Sequence, residues 1–195
     1  MVSAILLAAG ESKRMGGVKL SLPFGSSTIL EQTVDTLLNS RIDNVIVVLG
    51  HRIVEMKKLI ASRPATIALN SDYCGGMSTS VLAGLNLASD NARGIMLALA
   101  DQPLVDSQTI NHLLDAFNTH DKGIIMPVYQ GERGHPVIFA SRYKGELLGL
   151  KGDVGGREVI DRHPDDILEV DVNCRGVCVD IDTMECYHSE LGKLI

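Results

Sequence analysis

The residues best suited to chemistry form one run, Leu7-Ala8-Ala9-Gly10-Glu11-Ser12-Lys13-Arg14-Met15-Gly16-Gly17-Val18-Lys19, directly behind an apolar stretch. Ala8, Ala9 and Gly10 offer small side chains and accessible backbone amides where a bulky anion must come close, and Lys13, Arg14 and Lys19 add positive charge. The run reads as a phosphate cradle carrying its own cations. The dinucleotide fingerprint G-x-G-x-x-G is absent, and no glycine precedes Lys-Ser or Lys-Thr as a Walker loop requires. Neither a dehydrogenase of that type nor a P-loop kinase is indicated.

A second signal is Leu99-Ala100-Asp101-Gln102-Pro103, an apolar strand ending in a carboxylate and a stiff turn. At a strand tip facing bound phosphates, Asp101 is useful as a ligand for a divalent cation, and Mg²⁺ suits oxygen ligands and phosphates. Asp180 and Asp182 could supply a second carboxylate; Asp182 followed by Glu185 also reads as a helix N-cap with its box partner. Asn70 and the run Gly75, Gly76, Ser78 and Ser80 lead into a helix start, where amides and hydroxyls could meet a sugar or base. His135, between Gly134 and Pro136, has no Ser or Cys nucleophile motif beside it and reads as shaping a pocket.

The elements that must position these groups alternate. Ala4 to Ala8, Val45 to Leu49, Thr66 to Leu69, Ile95 to Ala100 and Ile124 to Val128 are short apolar runs of buried parallel strands. Helical stripes separate them, one opened by the capping-box pair Thr28 and Glu31 and another by an Asp106 cap. This order predicts an α/β fold: a three-layer, mostly parallel open twisted sheet with helices on both faces. Ligands of such sheets bind beyond the carboxyl ends of the strands, where the loop and Asp101 lie. After Val128 come a turn, a strand-like stretch from His135 to Phe139, helices broken by a glycine-rich loop between Ser141 and Arg162, and an alternating run from Val177 to Asp182. One domain over 1–195 is expected, with about 1–105 as the nucleotide-binding half and about 106–195 as the acceptor-binding half.

Composition sets the outer bounds. A chain of 195 residues with 45% hydrophobic content can bury a sizeable core, and its net charge of −6 argues against nucleic acid as a partner. Cys74, Cys174, Cys178 and Cys186 form neither a C-x-x-C pair nor a zinc repeat, so they read as reduced thiols. Val2 to Ala9 superficially resembles the core of a signal peptide but lacks a basic leader and is too short to span a bilayer. A buried strand, no membrane partner and a cytoplasmic protein are the expectations.

Taken together, the motifs resemble the molybdenum cofactor nucleotidyltransferases, with their Rossmann-like nucleotidyltransferase fold. Leu7 to Gly17 is similar to the family's nucleotide loop and Leu99 to Pro103 to its metal-binding strand end. Gly134-His135-Pro136-Val137, Gly152-Asp153-Val154-Gly155-Gly156-Arg157 and Asp180-Ile181-Asp182-Thr183 follow in the family's order. The resemblance covers nearly the whole chain. Leu-Ala-Ala-Gly at Leu7 to Gly10 is similar to the cytidylyl-transferring members rather than the Leu-Ala-Gly-Gly of guanylyl-transferring ones. Met184-Glu185-Cys186 departs from the common Pro-Glu-Asp but leaves Asp182 in place.

The resemblance implies Mg²⁺-dependent transfer of CMP from CTP to molybdopterin, giving molybdopterin cytosine dinucleotide and pyrophosphate, with a molybdenum hydroxylase as client. It further implies nucleotide contacts at Leu7, Ala8, Ala9, Gly10, Arg14, Lys19, Asn70, Ser78 and Ser80, and metal ligation by Asp101 and Asp182. Arg14, Lys19 and Asp101 would carry catalysis, and His135, Asp153, Gly155 and Arg157 would meet the acceptor. Transfer from GTP or to another phosphorylated small molecule is the nearest alternative. A non-catalytic carrier of the molybdenum cofactor is the alternative of a different class, and it would need neither Asp101 nor Mg²⁺.

Overall fold

The computed structural model describes residues 1–16 and 19–193; Gly17 and Val18 of the predicted loop, and the side chain of Lys13, lie outside the described residues. The chain runs through β1 (Val2–Ala8), β2 (Pro23–Phe24), β3 (Ser27–Thr28), α1 (Ile29–Leu38), β4 (Asn44–Leu49), α2 (Ile53–Leu59), β5 (Thr66–Leu69) and α3 (Met77–Leu85). It continues with β6 (Gly94–Leu99), α4 (Ser107–Thr119), β7 (Ile124–Tyr129), β8 (Glu132–Arg133), β9 (Val137–Ala140), α5 (Lys144–Leu148), α6 (Arg157–Arg162), β10 (Ile167–Asp171) and α7 (Met184–Leu191).

The main sheet has the order β10-β7-β9-β6-β1-β4-β5, with β8 paired to β7. The β1–β4, β1–β6, β4–β5 and β7–β10 pairs are parallel, whereas β9 lies antiparallel between β6 and β7. The apolar stretch that superficially resembled a signal-peptide core is therefore β1, a central strand of the sheet. Alternate residues of β1 face opposite sides, as strand geometry demands. Ala4, Leu6 and Ala8 pack with residues of α1, α2, α4 and α7, while Ile5 packs with residues of α3, α5 and α6. Both faces are thus covered, which is why every residue from Val2 to Leu6 is buried and Ala4 to Ala8 read as a continuous apolar run. A fully buried Ile5 or Leu6 side chain contributes about 1.5–3 kcal/mol relative to an exposed one.

Local signals also hold. Thr28 Oγ1 accepts from the Glu31 backbone N–H and Glu31 accepts from the Thr28 N–H, so the capping box opens α1. Asp106 Oδ1 accepts from the Thr109 N–H at 2.6 Å and opens α4.

Two expectations are corrected. The alternating run Val177 to Asp182 is no strand: a 3₁₀ turn covers Arg175–Cys178 and an irregular segment follows. Val177 and Ile181 are buried all the same, since an alternating contact with the body of the protein leaves the same pattern as a ladder. The outer strand is β10, which is half exposed and interleaves acidic with apolar residues, so its apolar signal is weak. The cap of α7 is Thr183, whose side chain accepts from the Cys186 N–H at 3.1 Å; Asp182 is free of that duty. Among the described residues no helix is long and apolar enough to cross a membrane. All four cysteines are free thiols.

Candidate active site

Parallel pairing places the carboxyl ends of β1, β4 and β6 side by side, and the chain leaving each one builds the site. Beyond β1, Ala9 is buried and Gly10 is exposed. Among the described residues, and apart from its two chain neighbours, a Cβ added at Gly10 would meet no atom within 4 Å, which leaves room over this backbone for a ligand. Ser12, in the left-handed region at φ 50°, turns the chain into a 3₁₀ turn at Lys13–Met15, and a second such turn at Lys19–Ser21 begins with the buried Lys19.

Beyond β6, Ala100 N–H donates to the Leu7 carbonyl at 3.2 Å and the buried Thr33 hydroxyl donates to the Ala100 carbonyl at 3.2 Å. These two bonds aim Asp101 at the cradle. The Asp101 carbonyl accepts from the Ile181 N–H at 2.9 Å, which draws in the segment carrying Asp182.

Three residues far apart in the chain then meet. Lys19 Nζ lies 2.8 Å from Asp101 Oδ2 and 2.8 Å from Asp182 Oδ1, and its side chain is only 9% exposed. Arg14 Nη1 reaches Asp182 Oδ2 at 3.2 Å from the solvent side. Burial disfavours the Lys19 charge, but Asp101 and Asp182 outweigh it and hold its pKa above the ordinary lysine value. The hydrogen bond from Lys19 holds the Asp182 carboxyl below the usual carboxylate range against a smaller effect of burial. Asp180 is turned elsewhere, accepting from Gln102 Nε2 at 2.8 Å. Partial desolvation and the charge of Asp101 push its carboxyl up.

Two carboxylates that hold one ammonium between them are a fitting pair for a hard divalent cation, with phosphates and water completing its shell. Among the described residues no group of three or more His, Cys, Asp or Glu could hold a metal ion. Asp101 and Asp182 could contribute two of the oxygens of such a shell, as carboxylates do for Mg²⁺ beside phosphates.

The other predicted residues divide among three places. Asn70 is buried; its Nδ2 donates to Thr79 Oγ1 at 2.9 Å and to Ser80 Oγ at 3.0 Å, so it secures the start of α3. Ser78 and Ser80 are buried there as well. Asp153 and Gly155 gather on the same helix start: Asp153 Oδ1 accepts from the Met77 N–H at 3.3 Å and the Gly152 carbonyl accepts from the Ser78 N–H at 3.2 Å. His135 lies with the carboxylate group instead. Its backbone N–H donates to the Val177 carbonyl at 2.9 Å, and burial lowers its imidazole pKa against the pull of Asp180 and Asp101. Arg157 is 90% exposed and faces Asp161 on its own helix.

His51 and Arg52 went unnoticed in the sequence. They follow β4 after Gly50, and with Ala8, Gly10, Ser12, Leu20 and Met56 they line a groove beside the cradle. Their place just past the carboxyl end of a central strand was the available signal.

The contact between the 152–153 backbone and α3 allows no side chain at Gly76, which has φ 102°; a Cβ there would collide with Gly152. Gly76→Ala is expected to destabilise the protein by roughly 2–4 kcal/mol, combining backbone strain with displacement of that loop. Urea unfolding of the variant against wild type measures it, and a change under about 0.5 kcal/mol, typical of an inert surface site, would show the contact to be dispensable.

A profile of the MobA-like NTP transferase domain matches residues 4–167. The nicotine blue oxidoreductase of Paenarthrobacter nicotinovorans is 29% identical over 196 residues, covering 94% of this chain and 93% of that protein. The molybdenum cofactor cytidylyltransferase of Escherichia coli is 27% identical over 183 residues, covering 93% of this chain and 91% of that protein. A solved structure of Rv0371c from Mycobacterium tuberculosis in complex with manganese has a TM-score of 0.83 at 29% identity, with 98% of each chain covered.

Proposed function

The chain belongs to the MobA-like NTP transferase family, and from that premise we propose that it transfers CMP from CTP to the terminal phosphate of molybdopterin. The observation that carries the transferase reading is the meeting of Asp101 and Asp182 on Lys19 beside the open backbone of Gly10. CTP is supported by Leu-Ala-Ala-Gly at Leu7 to Gly10, and the acceptor by the similarity to a protein named as a molybdenum cofactor cytidylyltransferase together with the motifs at His135 and Asp153.

In the reaction an acceptor phosphate oxygen bonds to the α-phosphorus of CTP as the bond to the β-phosphate bridging oxygen breaks, and pyrophosphate leaves. The attacking oxygen is already anionic, so no protein nucleophile is needed. The work of the protein is to align two anions and neutralise their charge. The amides around Ala8 to Gly10 receive the triphosphate, and Lys19 and Arg14 supply positive charge to it. Asp101 and Asp182 would hold a divalent cation, and the use of such a cation is consistent with the manganese complex of the Mycobacterium tuberculosis protein. When bound, that cation supplies Lewis-acid polarisation of the α-phosphate and compensates charge on the departing pyrophosphate. We assign Mg²⁺ as the working ion, residues of about 1–105 to the nucleotide and those of about 106–195 to the acceptor. The reading places the protein in the cytoplasm, with a molybdenum hydroxylase receiving the product.

The test is pyrophosphate release from CTP and from GTP, each with Mg²⁺, with molybdopterin, with a different phosphorylated acceptor and with no acceptor. Release only with CTP and molybdopterin together is the expected result. Preference for GTP overturns the base assignment. Release with CTP and a different phosphorylated acceptor overturns the choice of molybdopterin, and no release with either nucleotide favours a carrier.

A further inference from the structure

The segment that carries Asp182 is not part of the sheet, so something other than a strand ladder must hold it against the tip of β6. The buried side chain of Gln102, 3% exposed, spans that junction. Its Nε2 donates to the Val177 carbonyl at 3.2 Å and to Asp180 Oδ1 at 2.8 Å. The Val177 carbonyl also accepts from the His135 N–H at 2.9 Å, which ties the chain before β9 to the same point. The neighbouring backbone bond from Ile181 N–H to the Asp101 carbonyl, 2.9 Å, completes the junction one residue short of Asp182.

We propose that Gln102 is a positioning residue: it clamps the Val177–Asp180 segment onto the strand tip and thereby carries the Asp182 carboxylate to Asp101. The amide chemistry suits the place. An amide nitrogen donates two hydrogen bonds without a net charge. A lysine or arginine there would compete with Lys19 for the carboxylates, and a glutamate would add a fourth negative charge beside Asp101, Asp180 and Asp182. A side-chain clamp also explains how a segment without regular structure can hold a ligand in register, since buried partners left unmade carry a desolvation cost. The inference rests on the reading of Asp101 and Asp182 as the cation pair.

The experiment is direct Mn²⁺ binding, read from the electron paramagnetic resonance signal of free Mn²⁺ in the presence of CTP, with no acceptor and no turnover. Gln102→Met is expected to weaken binding about 10- to 100-fold, the usual range for a residue that orients a metal ligand. Gln102→Met combined with Asp182→Asn should bind no more weakly than Asp182→Asn alone, because Gln102 acts through Asp182. Asp180→Asn and Asp180→Ala remove the same charge, but only the asparagine keeps an oxygen for Gln102, so it must bind Mn²⁺ more tightly than the alanine variant. That comparison stands even if Gln102→Met does not fold.

Wild-type affinity in Gln102→Met, a further additive loss in the double variant, or equal affinity of the two Asp180 variants overturns the proposal. A wild-type protein that binds no Mn²⁺ overturns it together with the cation-pair reading. Mn²⁺ binding without pyrophosphate release from CTP and molybdopterin overturns the transfer reading alone.

Discussion

Asp101→Ala lowers pyrophosphate release from CTP and molybdopterin by about 10²–10³-fold or more, on the scale of losing one preorganised electrostatic group at a reacting phosphate. The expectation follows from the division of labour at that residue. Its backbone carries the structural role, with the carbonyl taken by the Ile181 N–H. Its carboxylate faces Lys19 and the cradle. Truncation to alanine therefore spares the backbone junction and removes one of the two carboxylates proposed to hold the cation. Lys19 keeps Asp182 as a partner, so it is not stranded. The measurement is kcat and kcat/KM with Mg²⁺ titrated, alongside circular dichroism and a thermal midpoint. A folded variant with undiminished turnover removes Asp101 from the mechanism.

Lys19→Met has effects of opposite sign on two quantities. Turnover is expected to fall by about 10²-fold, with weaker CTP binding, because the proposed mechanism loses a buried ammonium beside the triphosphate. Mn²⁺ binding to the nucleotide-free protein is expected to tighten, because the ammonium no longer occupies Asp101 and Asp182. A surface charge would move neither quantity. The same variant reports on pH. The raised pKa of Lys19 means that its stabilising pairs are fully formed below 10.5 and are lost as pH rises through the higher folded value. The lowered pKa of Asp182 means that its share is present above 3.8 and is lost as pH falls through the lower folded value. The stability difference between wild type and Lys19→Met, measured in EDTA, should be level between those limits and shrink outside them. A difference that varies across neutral pH would locate the Lys19 effect elsewhere.

The neighbours in similarity carry names from different reaction classes, an oxidoreductase and a cytidylyltransferase at 29% and 27% identity. Overall likeness therefore does not choose the acceptor. The second half of the chain is where acceptor contacts were expected, and there the structure rearranges the sequence-level grouping. Asp153 and Gly155 sit at the start of α3, His135 sits with Asp101 and Asp180, and Arg157 stands in solvent. Four residues expected to meet one acceptor occupy three settings.

What the sequence by itself determined was largely local or periodic. The strands β1, β4, β6 and β7 were legible because strands buried on both faces are continuous apolar runs, the edge strand β5 by its short apolar run although only Ala68 in it is buried, and the caps at Thr28 and Asp106 because their partners lie three residues away. The cradle and Asp101 were legible because each directly follows such a strand. Tertiary structure decided the rest. The half-exposed β10 has too weak an apolar signal, and the alternation at Val177 to Asp182 reports burial without revealing that no partner strand is present. Whether Asp182 caps α7 depended on backbone angles, which gave that task to Thr183. The pairing of Lys19 with residues 82 and 163 positions away, and the use of Gln102 to fasten one of those segments, required the folded sheet. Local pattern encodes which residues are buried and where helices begin; only the crossing of distant segments selects which carboxylate meets which cation.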